Sequence, residues 1–153
     1  MGATGPHFSE AELRCRGKNC SVDGTHGCGI NGCKPSLIDA LEAFREKIGK
    51  PVLVNDAYRC PKHNGQVGGA GKSEHMLGLG ADVTVRGMTA GQLEAVARTI
   101  PAIRGIGRDD QKQYIHVDVR PTLTLAHWCY QTGSNGITKV VPWHASPEAV
   151  INA

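Results

Sequence analysis

The sequence predicts an α+β domain, because helical and strand-like hydrophobic patterns occur in turn along the chain. Residues 35–48 carry apolar side chains at helical spacing, and residues 89–100 repeat this pattern behind a capping-box sequence. Residues 114–119 instead alternate strictly between polar and apolar side chains, which is typical of a strand with one buried face. A chain of 153 residues is long enough for one domain with a sizeable core.

The amino-acid composition limits the kinds of molecule that the protein is expected to bind. The net charge of +3 is too small to indicate nucleic-acid binding, although a mildly basic surface suits an anionic cell wall. No run of ~18 apolar residues is present, so we expect no membrane span. The first residues lack a basic region followed by an apolar core, so we expect no signal peptide. We expect a monomer whose 20 glycines form loops and tight turns.

Residues 8–34 form a cysteine-rich segment, which begins with a short helix capped by Ser9. Five glycines separate its four cysteines, so the segment can bury little apolar surface and needs a cross-link. The even count of six cysteines favours disulfides and an oxidising compartment, with Cys60 and Cys129 as the remaining pair. The alternative is a structural zinc, for which four-residue spacers are at the upper limit. Its ligands would be Cys15, Cys20, Cys28 and Cys33.

The next elements bring polar residues to one edge of the domain. Pro35 suits the first turn of the long helix, and Gly49 ends it. Residues 51–55 then indicate a buried strand that ends beside Tyr58 and Arg59. A guanidinium group holds a carboxylate through two parallel hydrogen bonds. Arg59 is therefore a candidate for substrate binding, with Tyr58 beside it.

Three later residues have the chemistry of zinc ligands. His75 and Asp82 lie on either side of a glycine-containing bend, and His116 lies in the alternating strand. Two imidazoles and one carboxylate leave a fourth position for water, as in catalytic zinc sites. Asp118 is on the same side of the strand as His116. Ser73 is a candidate either to bind substrate or to fix the bend.

These motifs resemble those of the zinc D-alanyl-D-alanine carboxypeptidases. Residues 73–82 match the family pattern Ser-x-His-x-x-Gly-x-x-x-Asp, and residues 55–64 are similar to its Gly-Tyr-Arg…His-Asn segment. The Val-Gly-Gly-Ala run at 67–70 and the His-Val-Asp run at 116–118 also fit. The resemblance spans residues 8–120 and extends to the VanX and VanY dipeptidases, phage endolysins and the hedgehog domain. It implies zinc at His75, Asp82 and His116, in a small antiparallel sheet with helices packed on one side.

The identity of the general base stays open. Many members of the family carry Asp or Glu three residues before the last histidine, where this chain has Gln113, which cannot act as a base. Asp118 is one candidate, either as the base itself or as a residue that supports His116 from behind. Asp110 is the other, since its spacing from His116 matches the hedgehog-like branch. Hedgehog domains keep the fold and the zinc while serving as binding proteins, so this departure also leaves activity open.

We therefore expect a zinc metallopeptidase that hydrolyses peptidoglycan stem peptides, as a D,D-carboxypeptidase or an endopeptidase. It would act in the periplasm or outside the cell, for example after release by a phage lysis cassette. The alternative is a catalytically silent, zinc-stabilised wall-binding module of the same fold. Residues 35–120 would form the catalytic core, and residues 121–153 a C-terminal tail that wraps the domain.

Overall fold

The computed structural model describes residues 2–148, which form four helices and one six-stranded sheet. The strand order is β1-β2-β4-β3-β5-β6, and only the β3–β5 pair is parallel. The predicted α+β class is confirmed, although the sheet is mixed rather than antiparallel throughout. None of the helices in this described part is long and apolar enough to cross a membrane. The elements are α1 (Glu10–Leu13), α2 (Pro35–Ile48), β1 (Leu53–Asp56), α3 (Pro61–Gln66), β2 (Gly80–Thr84), α4 (Ala90–Ala97), β3 (Gly105–Asp109), β4 (Tyr114–Asp118), β5 (Ala126–Thr132) and β6 (Thr138–Pro142).

The two longer helices form where the sequence predicts them. Helix α2 ends at Gly49, which has the left-handed φ of 70° that favours glycine. Helix α4 starts behind Thr89, whose side chain accepts a hydrogen bond from the backbone of Gln92. α4 packs against β3 and β4 and also contacts α2. Both helices therefore contribute to the main hydrophobic core.

The register of the sheet separates an apolar face from a polar face. Ala81, Val117 and Ile106 are aligned across β2, β4 and β3, and all three are buried in the core with the helices. The neighbouring row belongs to the opposite face and aligns Asp82 with His116. The predicted alternation in β4 is confirmed. The polar face is the one that carries the candidate metal ligands.

The polar run at 108–113 is not simply the loop that its composition indicates. Strand β3 continues to Asp109, and Arg108 is fully buried. Its guanidinium donates to the carboxylate of Glu94 at 3.0 Å and to Asp110 at 2.9 Å. A buried charge is tolerated when it is paired in this way, which a sequence pattern does not reveal.

The described part of the segment after residue 120, residues 121–148, also differs from the expected wrapping tail, whose residues 149–153 lie outside the described part of the chain. It supplies β5 and β6, and β5 pairs with β3 inside the sheet. The side chains of β5 are mostly half-buried, and its sequence lacks the regular alternation of polar and apolar residues that marks β4. The glycine-rich loop after Cys60 likewise contains a short helix, α3.

Candidate metal centre

His75, Asp82 and His116 are brought together on the polar face of the sheet. Nε2 of His75 lies 3.2 Å from Oδ1 of Asp82, and Nδ1 of His116 lies 3.0 Å from the same oxygen. The two imidazole nitrogens are 3.3 Å apart. The sequence-predicted ligand set is therefore a compact triangle of three electron-rich atoms.

The other nitrogen of each imidazole is held by a neighbour. Nδ1 of His75 is 2.7 Å from the carbonyl oxygen of Ala57, to which it donates. Nε2 of His116 is 2.7 Å from the carboxylate of Asp118. Such partners fix the orientation and the tautomer of histidines that bind metals. Each ring thus turns its remaining nitrogen towards Asp82.

The triangle fits a zinc ion. Tetrahedral zinc with bonds of about 2.0–2.1 Å places its ligand atoms about 3.3 Å apart, close to the distances observed here. The charges also favour a cation. Burial opposes protonation of His116, but the hydrogen bonds to Asp118 and Asp82 outweigh it and raise its pKa to about 9. A positive charge is therefore favoured at Nδ1, either as a proton or as a metal ion that displaces it.

Asp118 supports His116 from the side opposite Asp82. Its carboxylate is fully buried and also accepts hydrogen bonds from Arg120, at 2.8 and 2.7 Å. Burial opposes its ionisation, but the hydrogen bonds from Arg120 and His116 hold the pKa of Asp118 well below its usual range. Its partners across the sheet are Gly80 and Gly105, and a Cβ at Gly105 would collide with the carboxylate. Gly105 therefore leaves the space that the carboxylate occupies.

The three ligands line a cleft of about 430 Å³. Trp128 packs beside His116, with ring centroids 5.5 Å apart, and Arg120 lies over its indole at 5.0 Å. Tyr114 and Tyr130 stack at 5.9 Å. The sequence did not indicate a role for Trp128 or Tyr130, because both depend on β5 pairing with β3. The basic side chains that line the cleft are Arg59, Lys72, Arg120 and Lys139.

Arg59 lies in this cleft, as the sequence predicts. Its guanidinium donates to Asp56 and, at 2.9 Å, to Asn64. Three of its five N–H groups are used in these bonds, which leaves two for a ligand. The backbone N–H of Arg59 donates to the carbonyl oxygen of His75 at 3.2 Å. The candidate anion-binding group is therefore tied directly to a candidate metal ligand.

The other two candidate substrate residues differ in position. Ser73 lines the cleft, and its hydroxyl accepts a hydrogen bond of 3.2 Å from the backbone of His75. It therefore fixes the bend, and it also faces the cleft. Tyr58 does not line the cleft; it packs between the main core and a cluster of cysteines, with its ring against Gly32. The structure does not support a substrate contact for Tyr58.

The predicted general bases lie elsewhere. Asp110 pairs with the buried Arg108 and does not line the cleft. Asp118 is buried behind His116 and fully engaged by hydrogen bonds. Glu74 does line the cleft, and its Oε2 is buried without a hydrogen-bond partner in the described chain. A Cβ at Gly80 would lie 2.9 Å from Cε1 of His116 and 3.1 Å from Cβ of Glu74, so the glycine keeps these side chains close. No sequence pattern marks Glu74 as functional, although it directly precedes His75.

The cysteines do not form the predicted disulfides. All six are free in the structure. Four of them converge, but the set differs from the one that the sequence spacing suggests: Cys60 replaces Cys33. Cys33 lies in the main core just before α2, with its sulfur near the carbonyl oxygen of Leu13. The converging set is Cys15, Cys20, Cys28 and Cys60.

A comparison with known proteins gives one family match. A family model described as Peptidase M15 matches residues 6–118, well over half of the chain. The matched part includes all three candidate ligands and Arg59, and ends before β5. Among curated proteins, no significant match to the chain is found.

Proposed function

The chain belongs to the peptidase M15 family, and we propose that it is a zinc-dependent peptidase that cleaves peptidoglycan stem peptides. The convergence of His75, Asp82 and His116 in a cleft that also contains Arg59 carries this proposal. A zinc ion held by these three residues would polarise the scissile carbonyl and lower the pKa of a water molecule.

Arg59 would bind the carboxylate of the substrate. Its two remaining N–H groups suit a planar carboxylate, and Lys72 and Lys139 add positive charge to the same cleft. Gly68, Gly69 and Ala70 border the cleft, and a Cβ at Gly69 would lie 2.8 Å from the guanidinium of Arg59. The basic groups favour a peptide with a free carboxylate, such as one that ends in a C-terminal D-alanine. The finer assignment as a D,D-carboxypeptidase or an endopeptidase is part of this proposal.

Glu74 would act as the general base of the reaction. Apart from the ligand Asp82, it is the one carboxylate among the described residues that line the cleft. Its unpartnered Oε2 can accept a proton from the attacking water and pass it to the leaving amine. In this assignment Asp118 positions His116, and Asp110 has a structural role with Arg108.

To reach peptidoglycan, the protein would act in the periplasm or outside the cell. A lytic role, as in phage endolysins, and a remodelling role are both consistent with cleavage of stem peptides.

The test is digestion of purified peptidoglycan, followed by mass analysis of the products. Zinc-loaded protein should release a terminal D-alanine or cut a cross-link, and the mass of the products names the bond. Chelated protein should release neither. The contradicting result is a folded, zinc-loaded protein that cleaves none of several chemically different peptidoglycans but sediments with them. The peptidase assignment would then be wrong, and the catalytically silent wall-binding module would be the remaining function.

A further inference from the structure

The four converging cysteines form a second site, away from the cleft. Their sulfur atoms all lie within 4.8 Å of one another, and those of Cys15 and Cys20 are 3.9 Å apart. Tetrahedral zinc with Zn–S bonds of about 2.3 Å places its sulfurs about 3.8 Å apart. A disulfide would instead need a separation of about 2.05 Å. The spacing therefore fits a metal ion shared by all four sulfurs.

Backbone N–H groups surround these sulfurs. Cys28 donates to the sulfur of Cys20 at 3.3 Å, and His63 donates to that of Cys60 at 3.3 Å. The N–H of Cys60 points to the sulfur of Cys15 at 3.5 Å. Donors of this kind stabilise negative charge on an acceptor, as thiolates bound to a metal require. Three of the four cysteines are buried, and Cys28 is half-buried.

The backbone near Gly17 and Gly27 passes close to the four cysteines. A Cβ at Gly17 would lie 2.5 Å from the sulfur of Cys20 and 2.9 Å from the ring of His63. A Cβ at Gly27 would collide with the carbonyl oxygen of Gly17. Only glycine permits this close approach at both positions, so the loop is wound tightly over the sulfurs.

This part of the chain has little regular structure and little hydrophobic packing of its own. No helix or strand occurs between the end of α1 and the start of α2. The apolar side chains of Val22 and Ile30 are exposed rather than buried. Around the cluster, the hydrophobic contacts are those of the four cysteines with one another and with Tyr58. A segment with so small a core needs a cross-link to keep one conformation.

We propose that Cys15, Cys20, Cys28 and Cys60 bind a structural zinc ion as four thiolates, releasing their protons to solvent. Four sulfur ligands close the coordination shell, so this ion has no position for substrate water. It ties the N-terminal segment to the loop after β1, because Cys60 caps α3 and directly follows Arg59. The site is independent of the catalytic centre and serves stability.

The experiment measures the zinc content of a variant in which the candidate catalytic site of His75, Asp82 and His116 is removed. The double variant Asp82→Ala/His116→Ala, purified under reducing conditions with zinc present, should retain one zinc per chain. X-ray absorption should show only sulfur neighbours at about 2.3 Å. This readout does not depend on peptidase activity, so its failure is distinct from failure of the proposed function.

Two single substitutions in the same background locate the ligands. Cys28→Ser should lose the ion. Cys33→Ala is the matched control, because Cys33 belongs to the sequence pattern but not to the cluster, and it should keep the ion. A folded double variant without zinc, a shell containing nitrogen or oxygen, or loss of zinc in Cys33→Ala but not in Cys28→Ser would overturn the proposal.

Discussion

Asp118 accepts a hydrogen bond of 2.7 Å from Nε2 of His116, and the opposite nitrogen of the same ring faces His75 and Asp82. The carboxylate thus acts on the candidate metal centre through the imidazole. Arg120 holds the carboxylate in place from the other side. The two residues that the sequence placed on one face of β4 form one unit, in which only His116 contributes a ligand atom.

Replacing Asp118 with Asn should weaken zinc binding. The amide cannot accept the His116 proton as strongly, so the ring loses orientation and basicity, and affinity should fall by about 10- to 100-fold. Competition with a chelator measures this. An unchanged affinity in a folded Asp118→Asn protein would show that the contact does not support the ligand.

Replacing Glu74 with Gln tests the proposed base. Glutamine keeps the shape but cannot take a proton, so kcat should fall by about 10²- to 10⁴-fold while zinc content stays at the wild-type level. Asp110→Asn is the matched control and should retain activity, because Asp110 lies outside the cleft. The opposite result would be an active Glu74→Gln protein and an inactive, zinc-loaded Asp110→Asn protein. It would indicate that Asp110, and not Glu74, is the general base.

Arg59→Lys tests recognition of the substrate carboxylate. Lysine keeps the charge but loses the planar pair of donors, a loss of about 1.5–3 kcal/mol, or roughly tenfold or more in KM. The same peptide with an amidated C-terminus lacks the carboxylate and should be cleaved equally by both proteins. If Arg59→Lys impairs both peptides to the same extent, Arg59 serves the structure of the site rather than recognition.

Gly107→Ala should disturb the cleft from within the sheet. Gly107 lies between His116 and Trp128 in the register, and an added Cβ would meet the indole of Trp128 and the ring of Tyr130. We expect a loss of about 1–3 kcal/mol in unfolding free energy, from overpacking. Gly71→Ala is the control, since nothing lies within 4 Å of its added Cβ. Urea denaturation compares the two variants, and equal stability would contradict the expected clash.

The sequence predicts that His75, Asp82 and His116 come together, because the signals that place these candidate ligands are local. The glycine-containing bend places His75 and Asp82 on either side of a turn, and the alternation of β4 puts His116 on the polar face. Helix α2 is predicted for the same reason, since its apolar stripe and Gly49 lie within one short stretch.

The features that the sequence did not reveal depend on distant pairings. Trp128 reaches the cleft because β5 pairs with β3 in parallel, and a parallel pairing leaves no turn signal between the strands. Cys60 joins cysteines more than 30 residues earlier, whereas the regular spacing pointed to Cys33. Glu74 carries no sequence signal because its position beside His116 depends on the close approach that Gly80 allows.

The most direct test of the metal centre is restoration of activity by zinc. Wild-type protein treated with a chelator should lose cleavage of peptidoglycan peptides and regain it when zinc is returned to the His75–Asp82–His116 site. His116→Ala, folded and given the same zinc, should stay inactive. Full activity in chelated protein that contains no metal, or in His116→Ala, would contradict the assignment of these three residues as the catalytic zinc site.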